Sequence, residues 1–129
     1  MYCLFFNIIP QPAPRPRVTR RGTYNPTRYT EYKNFISVVG RQNIDKPIVG
    51  ALEMEIIFNM PIPKSYSNKK KIALMGTHHT KRPDLDNLIK SIKDGLSGVA
   101  YKDDSQVSVI VAKKIYSTVP SVEVMIREL

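Results

Sequence analysis

Two periodicities run through the hydrophobic and polar positions of this 129-residue chain. Stretches rich in β-branched and aromatic residues, several with apolar and polar positions alternating, predict strands over Tyr2 to Ile9, Gly50 to Met60, Gln106 to Tyr116 and Ser121 to Glu128. The alternation in the second stretch places Glu53 and Glu55 on the solvent side. We expect the last two strands to pair as a hairpin around Thr118-Val119-Pro120.

Helical spacing of apolar residues predicts two main helices. The first runs from about Arg28 to Gln42 after a Thr27 cap, and its core stripe consists of Tyr29, Tyr32, Phe35, Ile36 and Val39. The second runs from about Asp84 to Ser97, and its apolar arc consists of Leu85, Leu88, Ile89, Ile92 and Leu96. One or two further helical turns, from Lys69 to Met75, follow a predicted Ser67 cap.

Proline and glycine divide the rest of the chain. The segment PQPAPRPR cannot form a helix, and its alternating prolines hold Arg15 and Arg17 on an extended ribbon. The stretch VTRRGTYNP predicts a turn or short hairpin around Arg21-Gly22. Residues 77–82 are expected to be extended, because a proline disfavours helical geometry in the residue before it.

This order of elements predicts an α/β (α+β) fold, in which a mixed sheet is flanked by two main helices and residues 1–129 form a single domain. No apolar run is long enough to span a membrane, and MYCLFFNIIPQP lacks the basic region and cleavage site of a signal peptide. The single cysteine, Cys3, excludes an internal disulfide and is typical of a protein in the reducing cytoplasm.

Charge is distributed unevenly along the chain. The net charge is +9 with a pI near 9.8, which suits a polyanionic partner such as nucleic acid, although a solubilising surface explains it equally well. Against this basic background, five of the eleven acidic residues lie within one short span: Asp84, Asp86, Asp94, Asp103 and Asp104. A local concentration of carboxylates in a basic protein calls for a specific explanation.

Two explanations of the acidic span are open from the residues alone. In the structural one, Asp84 caps its helix, and Asp86, Lys90 and Asp94, four residues apart, form a salt-bridge ladder on its surface. In the functional one, the Asp84–Asp86 pair and the Asp103-Asp104 pair converge when helix and strand pack, and together they bind a hard cation such as Mg²⁺. Carboxylates gathered without a cation would repel one another, which favours the functional explanation.

The segment PDLDNLIKSIKDGLSGVAYKDDSQV resembles the core motif of the RusA-type Holliday junction resolvases, small endodeoxyribonucleases of bacteria, phages and prophages. The resemblance covers most of the chain, including the N-terminal strand, the proline- and arginine-rich segment and the tyrosine-bearing helix. It implies that Asp84, Asp86 and Asp104 bind the metal and that Lys90 is the essential lysine. The choice between Asp103 and Asp104 stays open at this point.

The resemblance implies a Mg²⁺-dependent nuclease, with Mn²⁺ able to substitute, which resolves four-way junctions by paired nicks during DNA recombination and repair. Metal bound by the aspartates would polarise the scissile phosphate and activate a water, while Lys90 would neutralise charge in the transition state. A homodimer suits the near-twofold symmetry of a junction, and no small-molecule cofactor or membrane is expected. The expected phosphate contacts are Arg15, Arg17, Arg20, Arg21, Lys69, Lys70, Lys71, Lys81 and Arg82.

Two rival functions remain open. A nucleic-acid-binding module without catalysis would use the acidic span only as a capped helix and a turn. A related metal nuclease would prefer flaps or other branched DNA. Cleavage of branched DNA in Mg²⁺ separates the first rival from a resolvase, and the choice among branched substrates depends on the geometry of the dimer.

Overall fold

The computed structural model describes residues 1–14, 17–19, 22–24 and 27–129, of which 17–19 and 22–24 are described by their backbone alone. The elements follow in the order β1 (Tyr2–Phe6), β2 (Arg17–Thr19), β3 (Gly22–Tyr24), α1 (Thr27–Asn43), β4 (Leu52–Pro61), α2 (Asn68–Leu74), α3 (Leu85–Leu96), a 3-10 turn (Asp104–Gln106), β5 (Val107–Ser117) and β6 (Ser121–Glu128). Strands β2 and β3 pair with each other, which confirms the short hairpin, while its predicted centre at Arg21 lies outside the described residues.

The main sheet is mixed and has the order β1-β6-β4-β5. Strand β4 pairs in parallel with β5 and antiparallel with β6. The predicted hairpin between the last two strands is therefore wrong, because β4 lies between them. The chain ends β4 at Pro61, whose register partner is Ser117. The short loop after β5 can consequently pass over the end of β4 and enter β6 on its far side.

One face of this sheet is covered by α1 and α3 and forms the core. The buried side chains of β4 are the alternate residues expected from the sequence, and they meet the apolar stripes of both helices. Gly95 on α3 allows the helices to approach closely, since a Cβ there would lie 2.7 Å from the Ile36 Cγ2 atom on α1. The predicted stripe of α1 is confirmed at Tyr29, Tyr32 and Ile36, whereas Phe35 is exposed.

The other face of the sheet carries Glu53 and Glu55 as predicted, and Glu53 pairs with Arg127 across the strands. The fold is thus the predicted α+β arrangement with a mixed sheet, to which α2 adds a short third helix. Within the described ranges, no helix combines the length and hydropathy needed to cross a bilayer.

Candidate active site

The first acidic pair lies at the N-terminal end of α3. Asp84 occupies the N-cap position with extended backbone angles, yet its side chain makes no capping hydrogen bond. The Oδ1 atom of Asp86 accepts a hydrogen bond from the backbone N–H of Asn87 at 2.9 Å. Both carboxylates are exposed. The capping role considered for Asp84 is therefore not performed by its side chain, which leaves that carboxylate facing solvent.

A groove of about 800 Å³ opens beside this pair. Its walls combine apolar and basic groups, and they are Ile9, Pro10, Gln11, Pro12, Ala13, Pro14, Arg28, Tyr29, Arg82, Pro83, Asp84 and Asn87. The backbone N–H of Ala13 donates to the carbonyl of Asn87 at 2.9 Å, which fastens the proline-rich segment to the first turn of α3. Asp84 thus lines an open groove that also contains Arg28 and Arg82, and Asp86 lies next to its wall in the chain.

Lys90 lies one turn beyond Asp86, and its ammonium pairs with Asp94 at 3.2 Å. The sequence predicted a salt-bridge ladder of Asp86, Lys90 and Asp94, and the ion pair that forms is the one between Lys90 and Asp94. Asp94 also accepts a hydrogen bond from the Tyr29 hydroxyl of α1 at 2.9 Å. Burial and this bond to Asp94 raise the pKa of Tyr29, so that the hydroxyl stays a donor. Sequence reasoning assigned Tyr29 to the core and missed this contact, although a buried tyrosine hydroxyl usually needs a partner.

The second acidic pair forms the turn that leads into β5. The Asp103 carboxylate accepts the backbone N–H of Ser105 at 3.0 Å, and this bond is the main cause of its lowered pKa. The Gln106 side chain bonds back to the Asp103 N–H, which completes a capping box. Its amide also donates to the carbonyls of Ile48 and Gly50, fastening the turn to the loop before β4. The Asp103 side chain therefore stabilises the turn.

The two acidic pairs lie towards opposite ends of α3. Because β4 and β5 are parallel, α3 between them runs back along the sheet. The Tyr101 hydroxyl donates to the Lys93 carbonyl near the end of α3 at 2.6 Å. Burial first, and then the charges of Asp104 and Asp94, raise the pKa of Tyr101. Tyr101 also bridges to Ser97, and Asp104 follows it by three residues in the turn that enters β5, so Asp104 lies towards the C-terminal end of α3. Eight residues of helix, about 12 Å at 1.5 Å each, separate Asp86 from Asp94.

The positions along β5 also place the two acidic pairs far apart. Lys114, on β5, contacts the carbonyl of Pro83 directly before Asp84. Val107, where β5 begins after the 3-10 turn, lies about 23 Å away along the strand at 3.3 Å per residue. The expected convergence of the two pairs is not present within one chain. In agreement, the described ranges contain no group of three or more His, Cys, Asp or Glu side chains that could hold a metal ion.

The acidic residues differ in how well they suit a hard cation. Mg²⁺ takes oxygen ligands at about 2.0–2.1 Å and is commonly bound by one or two carboxylates, with waters and phosphate oxygens completing its shell. The exposed carboxylates of Asp84 and Asp86 suit such a site in chemistry and in access. Asp104 of the same chain does not, because ligands of one ion must lie within about 4 Å of each other.

Basic residues precede the first acidic pair in the chain. Lys81 and Arg82 are exposed in the loop before Asp84, and Lys69 and Lys70 are exposed on α2, where Lys71 is half-buried. Ser67 caps α2 as predicted, accepting the backbone N–H of Lys70. Among the expected phosphate contacts in the proline-rich and hairpin segments, Arg17 is described by its backbone alone, and Arg15, Arg20 and Arg21 lie outside the described residues.

Comparison with known proteins matches residues 7–127 to a family model described as endodeoxyribonuclease RusA. The chain is also similar to a protein of Bacillus subtilis (strain 168) described as "Uncharacterized protein YqaN". The two are 37% identical over 139 aligned positions, which include 99% of this chain and 98% of the relative. The family match includes every element described above except β1, which ends before residue 7, and the last residue of β6.

Proposed function

Because the chain belongs to the RusA family of endodeoxyribonucleases, we propose that it is a Mg²⁺-dependent, structure-selective nuclease that resolves Holliday junctions by paired nicks during DNA recombination and repair. The observation that carries this proposal is the exposed Asp84–Asp86 pair at the start of α3, which follows Lys81 and Arg82 in the chain and of which Asp84 lines an open groove. The carboxylates would bind the metal ion, and the lysine and arginine side chains would bind the DNA phosphates on either side of it.

The residues divide the chemical work by their positions. Asp84 and Asp86 would hold the metal, which supplies Lewis-acid polarisation of the phosphate and a water of lowered pKa. Lys90 is exposed on the same helix and carries a positive charge that can stabilise the anionic transition state. Its pairing with Asp94, itself bonded to Tyr29, holds the ammonium one to two turns from the acidic pair.

A homodimer suits both the substrate and the geometry. A four-way junction has near-twofold symmetry and needs two opposed nicks, so two copies related by a twofold axis match it. The separation of Asp104 from Asp84 and Asp86 within one chain gives the dimer a second role. We propose that Asp104 of one protomer completes the carboxylate set of its partner, so that each active site is shared.

Binding to DNA rests on phosphate contacts. Lys69, Lys70, Lys71, Lys81 and Arg82, with the arginines of the proline-rich and hairpin segments, would contact the backbone and supply affinity with little sequence information. The groove beside Asp84 would guide one strand to the acidic pair, because Arg28 and Arg82 line it.

The test is cleavage of a synthetic four-way junction with and without Mg²⁺, beside duplex, flap and three-way substrates of the same sequence. We expect paired nicks in the four-way junction only when Mg²⁺ is present. A shifted band without cleavage in Mg²⁺ or Mn²⁺ would identify a non-catalytic binding module. Faster cleavage of flaps than of four-way junctions would identify a nuclease of other branched DNA.

A further inference from the structure

We propose that Lys114 is a positioning residue for the first acidic pair, because its ammonium fixes the loop from which Asp84 and α3 begin. This inference rests on the proposed function of Asp84 and Asp86, and it adds to that function a residue on a different element of the fold.

The contact geometry is specific. The Lys114 Nζ atom donates to the carbonyl of Lys81 and to the carbonyl of Pro83, each at 2.8 Å. The second carbonyl belongs to the peptide bond that joins Pro83 to Asp84. One ammonium therefore bridges both sides of Arg82 and holds the last peptide before the N-cap of α3. A charged donor makes stronger hydrogen bonds to carbonyls than a neutral one.

The surroundings of Lys114 distinguish it from an ordinary surface lysine. It lies on the helix-covered side of β5, next to the buried Tyr116, and it is half-buried, whereas the adjacent Lys113 is exposed on the opposite face. Its carbonyl accepts the backbone N–H of His79 at 3.0 Å, so main chain and side chain both hold the segment between residues 79 and 83. Lys114 also contributes, after burial, to the lowered pKa of His79, which places its charge close to that ring.

The arrangement explains how two exposed carboxylates can be held in place. Asp84 and Asp86 lie on the first turn of a helix, where the first backbone N–H groups lack partners within the helix. Asp84 and Asn87 of this turn also line the open groove. Anchoring the preceding peptide to the sheet limits movement of that turn. Mutation of groups that orient metal ligands commonly lowers metal affinity or activity by about 10- to 100-fold.

The experiment compares Lys114→Met, which keeps the length of the side chain and removes its donors, with Lys113→Met as the matched control. Lys114→Arg tests rescue by a second cationic donor. Three quantities are measured for each full-length variant: amide hydrogen exchange of residues 84–88 without metal, the Mg²⁺ concentration that gives half-maximal junction cleavage, and the affinity for the junction. Thermal unfolding is recorded in parallel.

For Lys114→Met we expect faster exchange at residues 84–88 and a roughly 10-fold rise in the half-maximal Mg²⁺ concentration, with junction affinity unchanged. Lys114→Arg should recover part of both changes, and Lys113→Met should resemble the parent protein. The proposal is overturned if Lys114→Met matches Lys113→Met, or if it lowers the melting temperature while exchange and Mg²⁺ dependence stay as in the parent.

If Lys114→Met does not fold, Lys114→Gln, which is shorter and replaces the charged ammonium by a neutral amide, is used in the same comparison. Failure of the proposed function can be told apart from failure of the proposal for Lys114. If the parent protein never cleaves junctions, the effect of Lys114→Met on amide hydrogen exchange at residues 84–88 can still be measured.

Discussion

A shared active site can be tested by combining two inactive protomers. Asp86→Asn and Asp104→Asn each keep the shape of the side chain and remove the charge that binds a hard cation. If each site takes Asp86 from one protomer and Asp104 from the other, a heterodimer of the two variants has one site with both substitutions and one site with neither. If each site lies within one chain, both sites of that heterodimer are damaged.

The expected nicking rate of the heterodimer follows from the distance between the two carboxylates. About 12 Å of helix separates Asp86 from Asp94, and Asp104 lies beyond that end of the helix, in the turn that enters β5. That is about three times the spacing that two ligands of one Mg²⁺ allow. We therefore expect the heterodimer to nick a junction at about half the rate of the parent, since one of two symmetric sites is intact. Paired incision should be lost, because the second site is inactive.

The assay uses co-expressed protomers with two different affinity tags, purified through both, and a labelled four-way junction resolved on denaturing gels. The homodimers of each variant should be inactive and should still bind the junction. A reversed control pairs an unaltered protomer with the Asp86→Asn, Asp104→Asn double variant. A shared site predicts no nicking by this heterodimer, whereas a site within one chain predicts about half of the parent rate.

Two results would refute the reasoning. An inactive heterodimer of single variants, together with an active reversed control, would mean that Asp104 reaches the acidic pair of its own chain by a rearrangement. Homodimeric Asp104→Asn with full activity would remove Asp104 from the site altogether.

Four further predictions concern single elements. Lys90→Ala should abolish junction cleavage with little change in melting temperature, because the side chain is exposed and its pair with Asp94 contributes under about 1 kcal/mol; full activity would reduce Lys90 to a surface ion pair. Asp103→Asn should keep cleavage but lower the melting temperature at neutral pH, and since the folded pKa of Asp103 is lowered, this difference should disappear as pH falls through that pKa. Leu88→Ala should lower the free energy of unfolding by about 2–5 kcal/mol in urea titrations, because its side chain is fully buried. Replacing Lys69–Lys71 by alanine should reduce the slope of log K for junction binding against log salt by about 0.9 per lost phosphate contact, and an unchanged slope would exclude these lysines from the interface.

The sequence by itself determined most of the local structure and the type of chemistry. A period of two or of 3.6 residues reflects which side of an element is buried, so β4, α1 and α3 lie close to their predicted bounds. The Ser67 cap and the hairpin of β2 and β3 depend on residues a few positions apart, and they too were predictable. The acidic motif identified the family because its residue types and spacing are local properties of the chain.

Only the tertiary structure decided which strands are neighbours and where the carboxylates lie. Hydrophobic periodicity carries no information on the partner of a strand, so the insertion of β4 between β5 and β6 could not be read from two adjacent strand patterns. That parallel pairing in turn requires α3 to run back along the sheet, which puts Asp84 and Asp104 towards opposite ends of the helix. The contact of Lys114 with the loop before Asp84 depends on the same packing, because it joins residues 31 positions apart in the chain.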